Sequence, residues 1–212
     1  LITRGVMKTP EQEIPAEILQ GPWEACFTLG NQWNYKATNE AYMSGTELIS
    51  KVIEIRAKGG NALINVTSDP HGRIPVEQQR LMEELGLFMF FNEEAVVNVR
   101  PWHVWCEGNI YFTCSRQEPT VYAFVMNDPW PLGERREYTL TSVKATPQTQ
   151  VEIVGQNGRV LEHHPEADTE SRWKQDENGL HLSVMRCYRP YNNRRWPNPV
   201  AIRITNVEAP GS

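Results

Sequence analysis

No stretch of this sequence is apolar enough to cross a bilayer as a helix. The longest run, Leu85–Phe91, falls far short of the roughly 20 residues that a span requires. No charged-then-apolar leader opens the chain either. Lys/Arg-rich stretches are also missing, and the net charge of −5 is spread along the 212 residues, which excludes the electrostatic footprint of nucleic acid or of anionic membrane. Cysteine is scarce: Cys26, Cys106, Cys114 and Cys187 show neither CxxC nor zinc-like spacing, and a chain of this size does not depend on a disulfide framework. Buried free thiols are expected, with a Cys106–Cys114 bridge across a hairpin as the alternative. No repeat of fixed period and no low-complexity segment is present.

What is present is the material of an ordinary globular protein, 40% hydrophobic and 22% charged, which excludes disorder and allows a sizeable core. The chain opens on Leu1 rather than Met, inside what reads as the end of a strand, LITRG, and closes on Gly-Ser. Ends set by processing or cloning are therefore expected.

Up to about Arg100 the pattern alternates strand and helix. Trp23–Leu29 is a short apolar run suited to a buried parallel strand. Ser44 with Glu47 makes a capping box for a helix whose core face is Leu48, Ile49, Val52 and Ile55, and Gly59-Gly60 stops it. Asn61–Val66 follows as a second strand, and Pro75 can open a second helix with Leu81, Leu85, Phe88 and Met89 as its stripe. This order implies a parallel sheet.

After Pro101 the texture changes to short strands at Trp102–Cys106, Asn109–Cys114, Thr120–Met126, Tyr138–Val143, Gln150–Val154, Leu180–Met185 and Val200–Val207, with Gly108-Asn109 and Asn178-Gly179 among the turn signals. An antiparallel β-sandwich is expected over 100–212, after an α/β part over 1–99, with the change near Val99 to Trp102. The polar stretch Gly155–Asn178 reads as a solvated loop. Its His163-His164 pair is not a metal site, since adjacent histidines point in different directions.

Three blocks carry the chemistry: TPEQEIP (Thr9–Pro15), WEACFTLGNQWNY (Trp23–Tyr35), and ELISKVIEIRAKGGNALINV with DPHGRI (Glu47–Ile74). In order and spacing they resemble the α-L-fucosidases of glycoside hydrolase family 29, whose pattern runs Trp-Glu-x-Cys-x-Thr, Trp-Gly-Tyr, Lys-Gly-Gly-Asn-x-Leu-Leu-Asn and Asp-Gly, with Asn-Gly-Glu-Ala at the end of the last helix. Here Asn92-Glu93-Glu94-Ala95 stands at that last place. The resemblance covers about the first hundred residues; the β-region is similar in position and general character alone.

The resemblance implies roughly the last three strand–helix units of a (β/α)8 TIM barrel, with reacting groups at the C-terminal ends of the strands, followed by the β-sandwich. It implies an exo-acting retaining glycosidase that cleaves terminal α-L-fucosides by double displacement, with no cofactor and no metal. Such an enzyme needs two carboxyl groups. The family's Asp nucleophile, in a Trp-x-Asp segment of an earlier strand, is missing from these residues. The family's proton donor in a Thr-x-Glu segment falls on Glu11, with Glu13 as the other candidate or an exposed loop carboxylate.

Glu24 is either a sugar-binding carboxylate, a structural ion pair or the donor itself; on a buried strand it needs a positive or hydroxyl partner. Arg4 stands where the family places a sugar-contacting Arg, or is an ordinary surface Arg. Trp33 stands where an aromatic covers the apolar side of fucose, and Trp23 is core or pocket wall. Asn65 and Thr67 form a glycosylation sequon on a strand end, a poor acceptor position.

Asn34 replaces the family's Gly before Tyr35, and Thr67-Ser68 replaces Gly-Pro, so the glycone stays open between fucose and L-galactose. The implied partners are a fucosylated oligosaccharide or glycoconjugate, and a companion polypeptide or upstream segment that completes the barrel. The implied compartment is secreted, periplasmic or lysosomal. An exo-α-L-galactosidase and a noncatalytic sugar-binding or assembly subunit are the rival readings.

Overall fold

In the computed structural model residues 7–38, 40–156, 161, 164–187 and 198–209 are described. Arg4 and His163 lie outside them. The elements run β1 (Glu24–Thr28), α1 (Gly45–Ala57), β2 (Asn61–Asn65), α2 (Val76–Val96), β3 (Val99–Glu107), β4 (Ile110–Ser115), β5 (Val121–Val125), β6 (Arg135–Leu140), β7 (Ala145–Ile153), β8 (Arg172–Asp176), β9 (Gly179–Met185) and β10 (Val200–Val207). They form two compact units, Leu1–Phe90 and Phe91–Ser212. The division falls inside α2, beside a non-helical residue at Asn92. The last turn of α2 is bonded into the second unit: Thr113 Oγ1 donates to Ala95 O at 2.7 Å, and Glu94 accepts from Tyr122 and Arg203.

In the first unit β1 and β2 pair in parallel, in a register that sets Glu24 beside Asn61, Cys26 beside Leu63 and Thr28 beside Asn65. The segment around Lys8–Gln12 runs parallel to β1 on its other side, through bridges Lys8–Trp23 and Glu11–Cys26. Ser44 caps α1 by accepting from Glu47 N at 3.1 Å. The helix ends in a Schellman pair, Gly60 N to Ile55 O and Gly59 N to Arg56 O.

The two glycines of that stop have different reasons. Gly59 takes a φ of +83°, where only glycine is unstrained. Gly60 lies directly under the indole of Trp23. Trp23, Ala25, Phe27 and Leu29 are buried, and Lys51 of α1 stands over the Phe27 ring, so this face of β1 meets the helix. Lys58, 2% exposed, bonds Glu54 Oε1 at 2.6 Å and Pro15 O at 2.7 Å. It thereby ties the segment that follows Glu11 to the end of α1.

The second unit is a β-sandwich. A five-stranded antiparallel sheet, β3-β4-β5-β10-β7, faces a three-stranded one, β6-β9-β8. Trp102, Phe112, Val125 and Ile202 from the first sheet share one core with Leu140, Leu180, Leu182 and Val184 from the second. The expectation of a solvated loop over Gly155–Asn178 is corrected at its end, where β8 lies. β8 hides in the sequence because it is an edge strand: of Arg172, Trp173, Lys174, Gln175 and Asp176 only Trp173 is half-buried, and the rest face solvent. Among the described residues no three His, Cys, Asp or Glu side chains converge as a metal would require.

All four cysteines are free thiols. The β3–β4 register pairs Cys106 with Tyr111 and Cys114 with Arg100, several rungs apart on the ladder, so the alternative Cys106–Cys114 bridge is out of reach.

Glu107, at the end of β3, accepts from Thr141 N and Ser142 N at 2.8 Å each and so holds the turn after β6 against the other sheet. Burial pushes its carboxyl up, but these hydrogen bonds outweigh burial and hold it below the usual value of 4.5. A group with a lowered folded value stabilises above the ordinary value and ceases to as pH falls through the lowered one. Glu107→Gln is therefore expected to lower stability by on the order of 1–2 kcal/mol at pH 7. In paired thermal melts, that gap between variant and native protein should narrow as pH falls below the usual value of 4.5 and through the lowered one; a gap independent of pH would remove Glu107 from the role.

Candidate functional site

In a parallel ladder, residues bridged across neighbouring strands share a face. The row Glu11, Cys26, Leu63 therefore lies on one side of the sheet, with Glu24 and Thr28 flanking Cys26 along β1. This side is opposite the one that meets α1. It is open: Leu63 is 50% exposed, Glu24 and Cys26 are half-buried and Glu11 is exposed. Parallel sheets are ordinarily covered on both faces.

Glu11 is the last bridged residue of its segment, and Gln12 follows with a φ of +58°, which ends the strand there. Glu11 thus stands at the C-terminal end of its own strand, level with the middle of β1, while Glu24 opens β1. Two residues of strand separate Glu24 from Cys26, about 7 Å along the chain. Glu13 is exposed, just beyond Gln12. The partner expected for Glu24 on a buried strand is not found among the described residues. The physical reason is that its position alternates onto the open face, where solvent serves the carboxylate.

Trp23 is 1% exposed and its Nε1 donates to Lys58 O at 3.2 Å. It belongs to the core on the α1 side and presents no surface to a pocket. Trp33 is 39% exposed, and its backbone carbonyl accepts from Asn65 Nδ2 at 2.9 Å, which sets the loop after β1 beside the C-terminal end of β2. Asn65 is thereby engaged through its side-chain amide. Tyr35 and Asn34 are also exposed on this loop.

Several residues that the motifs alone did not single out brace this edge. Gln12 Nε2 donates to Thr28 Oγ1 at 2.9 Å, and Thr28 Oγ1 donates to Gly30 O. Gln78, buried in the first turn of α2, accepts from Thr67 N at 2.9 Å and donates to Thr67 Oγ1 at 2.8 Å. Tyr42 donates to Glu40 Oε2 at 3.1 Å and also hydrogen-bonds Gln78; burial pushes its hydroxyl up, so it stays a donor. Glu40 packs where a side chain on Gly30 would lie, which explains glycine there. The loops after β1 and β2 are thus joined through one buried glutamine. No local pattern announces the bonds of Gln12 to Thr28 and of Gln78 to Thr67, whose partners stand 16 and 11 positions apart in sequence.

The family model described as α-L-fucosidase matches residues 2–94. An α-L-fucosidase of Dictyostelium discoideum is 30% identical over 151 residues, 66% of this chain and 33% of that protein. The chain thus spans about a third of the length of the relatives it matches. A Vibrio α-L-fucosidase structure superposes with a TM-score of 0.71 at 22% identity, covering 96% of this chain and 33% of that one. An α-L-fucosidase from Bacteroides thetaiotaomicron, solved as a trapped covalent intermediate with 2-fluoro-fucosyl fluoride in a Glu-to-Gln mutant, superposes with a TM-score of 0.66 at 20% identity, over 94% of this chain and 42% of that one. The fold is that of part of a (β/α) TIM barrel followed by a β-sandwich.

Proposed function

We propose, since this chain belongs to the α-L-fucosidase family of glycoside hydrolases, that the whole protein is a retaining exo-glycosidase that releases terminal α-L-fucose from oligosaccharides or glycoconjugates. The observation that carries this reading is the place of Glu11, at the C-terminal end of its own strand and on the open face of a parallel sheet. That is where barrel enzymes hold their reacting groups.

In this reading Glu11 is the acid/base. Its proton goes to the glycosidic oxygen as a carboxylate from an upstream strand attacks the anomeric carbon, and the aglycone leaves as an alcohol. Glu11 then takes a proton from the water that cleaves the glycosyl–enzyme ester and returns the carboxylate. The covalent intermediate trapped in the Bacteroides relative supports the two-step course. Glu13 is the second candidate for the same role. Glu24 and Trp33 are assigned to the sugar, Trp33 by laying its exposed ring on an apolar patch of C–H groups. Arg4 keeps its sugar-contact assignment by family position.

The open face with Leu63 half exposed, and the pairing of β2 with β1 alone among the described residues, support a further polypeptide segment that completes the barrel and brings the nucleophile. Residues 1–99 are assigned to that barrel and 100–212 to the sandwich.

The test is turnover by the whole protein of an aryl α-L-fucoside against the matching aryl α-L-galactoside. The fucoside should be preferred. A clear preference for the galactoside, whose extra hydroxyl would meet the rim carrying Asn34 and Thr67, would replace the glycone and keep the mechanism. Saturable fucose binding by calorimetry without turnover would overturn the enzymatic reading.

A further inference from the structure

We infer that Gln12 is a positioning residue that holds Glu11 in its working place, an inference that rests on the reading of Glu11 as acid/base. Three observations converge on it.

The first is the backbone. Gln12 adopts a φ of +58° without being glycine, a conformation that side chains with a Cβ rarely take and that persists only where the surroundings impose it. The second is its side chain. The amide closes a two-point clamp on Thr28: Nε2 donates to Oγ1 at 2.9 Å, and Oε1 accepts from the Thr28 backbone N–H at 3.4 Å. Thr28 is 2% exposed and its hydroxyl donates a hydrogen bond to Gly30 O, so the clamp is anchored in the buried end of β1. The third is what lies between. Pro10 O accepts from Cys26 N at 2.9 Å and Gln12 N donates to Cys26 O at 2.8 Å, so the backbone of Glu11 is bracketed on both sides by the same residue of β1.

The clamp adds a third fixed point immediately downstream. Without it the Gln12 N–H to Cys26 O bond, which fixes the Glu11 backbone from its downstream side, must hold the left-handed turn by itself, and loosening of that bond re-aims the Glu11 side chain. Proton donation depends on sub-ångström placement of the carboxyl against the glycosidic oxygen. A clamp that served the sheet alone would have no bearing on which chemical step is slowed.

The distinguishing readout is the dependence on leaving group, measured on the whole protein. An acid matters most when the departing alcohol is poor and least when it is a dinitrophenolate that needs no proton. Gln12→Ala is expected to lower kcat/KM for an alkyl α-L-fucoside by about 10–100-fold and for the dinitrophenyl fucoside by no more than about 2- to 3-fold, a steeper dependence on leaving-group pKa than the native protein. Gln12→Gly adopts the positive φ freely but lacks the amide. It should show the same steepening, and native behaviour in it would assign the role to the backbone and overturn the clamp.

Equal losses on both substrates, or none, in Gln12→Ala would likewise overturn the inference. Glu11→Ala is run beside them. If it shows no dependence on leaving group, the acid/base reading itself falls and the inference with it. If it does while the Gln12 variants do not, only the inference falls. Thermal melts of each variant separate misfolding from misplacement.

Discussion

Glu11→Ala is expected to slow hydrolysis of alkyl and glycosyl α-L-fucosides by about 10²–10⁴-fold, the usual contribution of a positioned general acid. Dinitrophenyl fucoside should be spared in the first step, because its leaving group departs as a stable anion. The second step then becomes limiting, since no base activates the water, and the glycosyl–enzyme should accumulate as a burst. Azide, a nucleophile that needs no deprotonation, should restore turnover and give fucosyl azide of retained configuration.

The proposed role goes to Glu11 rather than Glu13 on account of their places in the strand. Glu11 shares the open face with Cys26 and Leu63 through the parallel bridge, whereas Glu13 lies past the left-handed turn at Gln12, outside the pairing. The same series in Glu13→Ala should leave both substrates within a few-fold of native. Unchanged kinetics in Glu11→Ala together with azide rescue in Glu13→Ala would move the role to Glu13.

The second large effect is on stability. Gly60→Ala would set a methyl carbon 2.6 Å from Cη2 of Trp23, and closer still to Cε2 and Cζ2. The indole cannot step aside: Trp23 is 1% exposed, and its Nε1 is held by Lys58 O. Overpacking of this kind costs about 1–3 kcal/mol, and the ring that must move is rigid, so the variant should fall at or above the upper end of that range.

Gly72 makes a useful contrast. It has a φ of +78° with open space around the missing Cβ, so Gly72→Ala should cost only about 1 kcal/mol of backbone strain. Chemical denaturation followed by tryptophan fluorescence checks both. The steric account further requires coupling: Trp23→Leu should cost less in the Gly60→Ala background than alone. Additive losses would mean that the methyl and the indole do not meet.

These two residues also mark the limit of what local pattern reveals. Gly59-Gly60 was legible as a helix stop, because C-terminal glycines follow from the left-handed conformation needed there. That only Gly59 serves that purpose, while Gly60 makes room for a tryptophan far upstream, was not legible. Trp23 itself sat in the most recognisable motif and could be read as core or pocket wall. Strand alternation puts it on the buried face and Glu24 on the open one, but which face is covered is decided by where α1 lies.

The same holds for β8, whose polar residues read as loop. A strand that exposes nearly everything except Trp173 carries no alternation, and it becomes a strand only by pairing with β9. Glu24 was expected to need a partner for the same reason in reverse: the sequence reports an apolar neighbourhood along the chain, and a sheet alternates it away.

By itself, then, the sequence determined the order of strands and helices, the helix cap at Ser44 and its stop at Gly59, the change from a parallel α/β part to an antiparallel sandwich, and, through its motifs, the family. All of these depend on periodicity, turn chemistry or short spacing, which act over a few residues. The tertiary structure alone decided that Glu11 and Glu24 share an open face, that Trp23 is core, that Lys58 is buried against Pro15, and that Gln12 clamps Thr28. Each of these joins residues 13 to 43 positions apart or depends on what covers a face. Burial and side-chain pairing are properties of the packed chain, and no local stretch contains them.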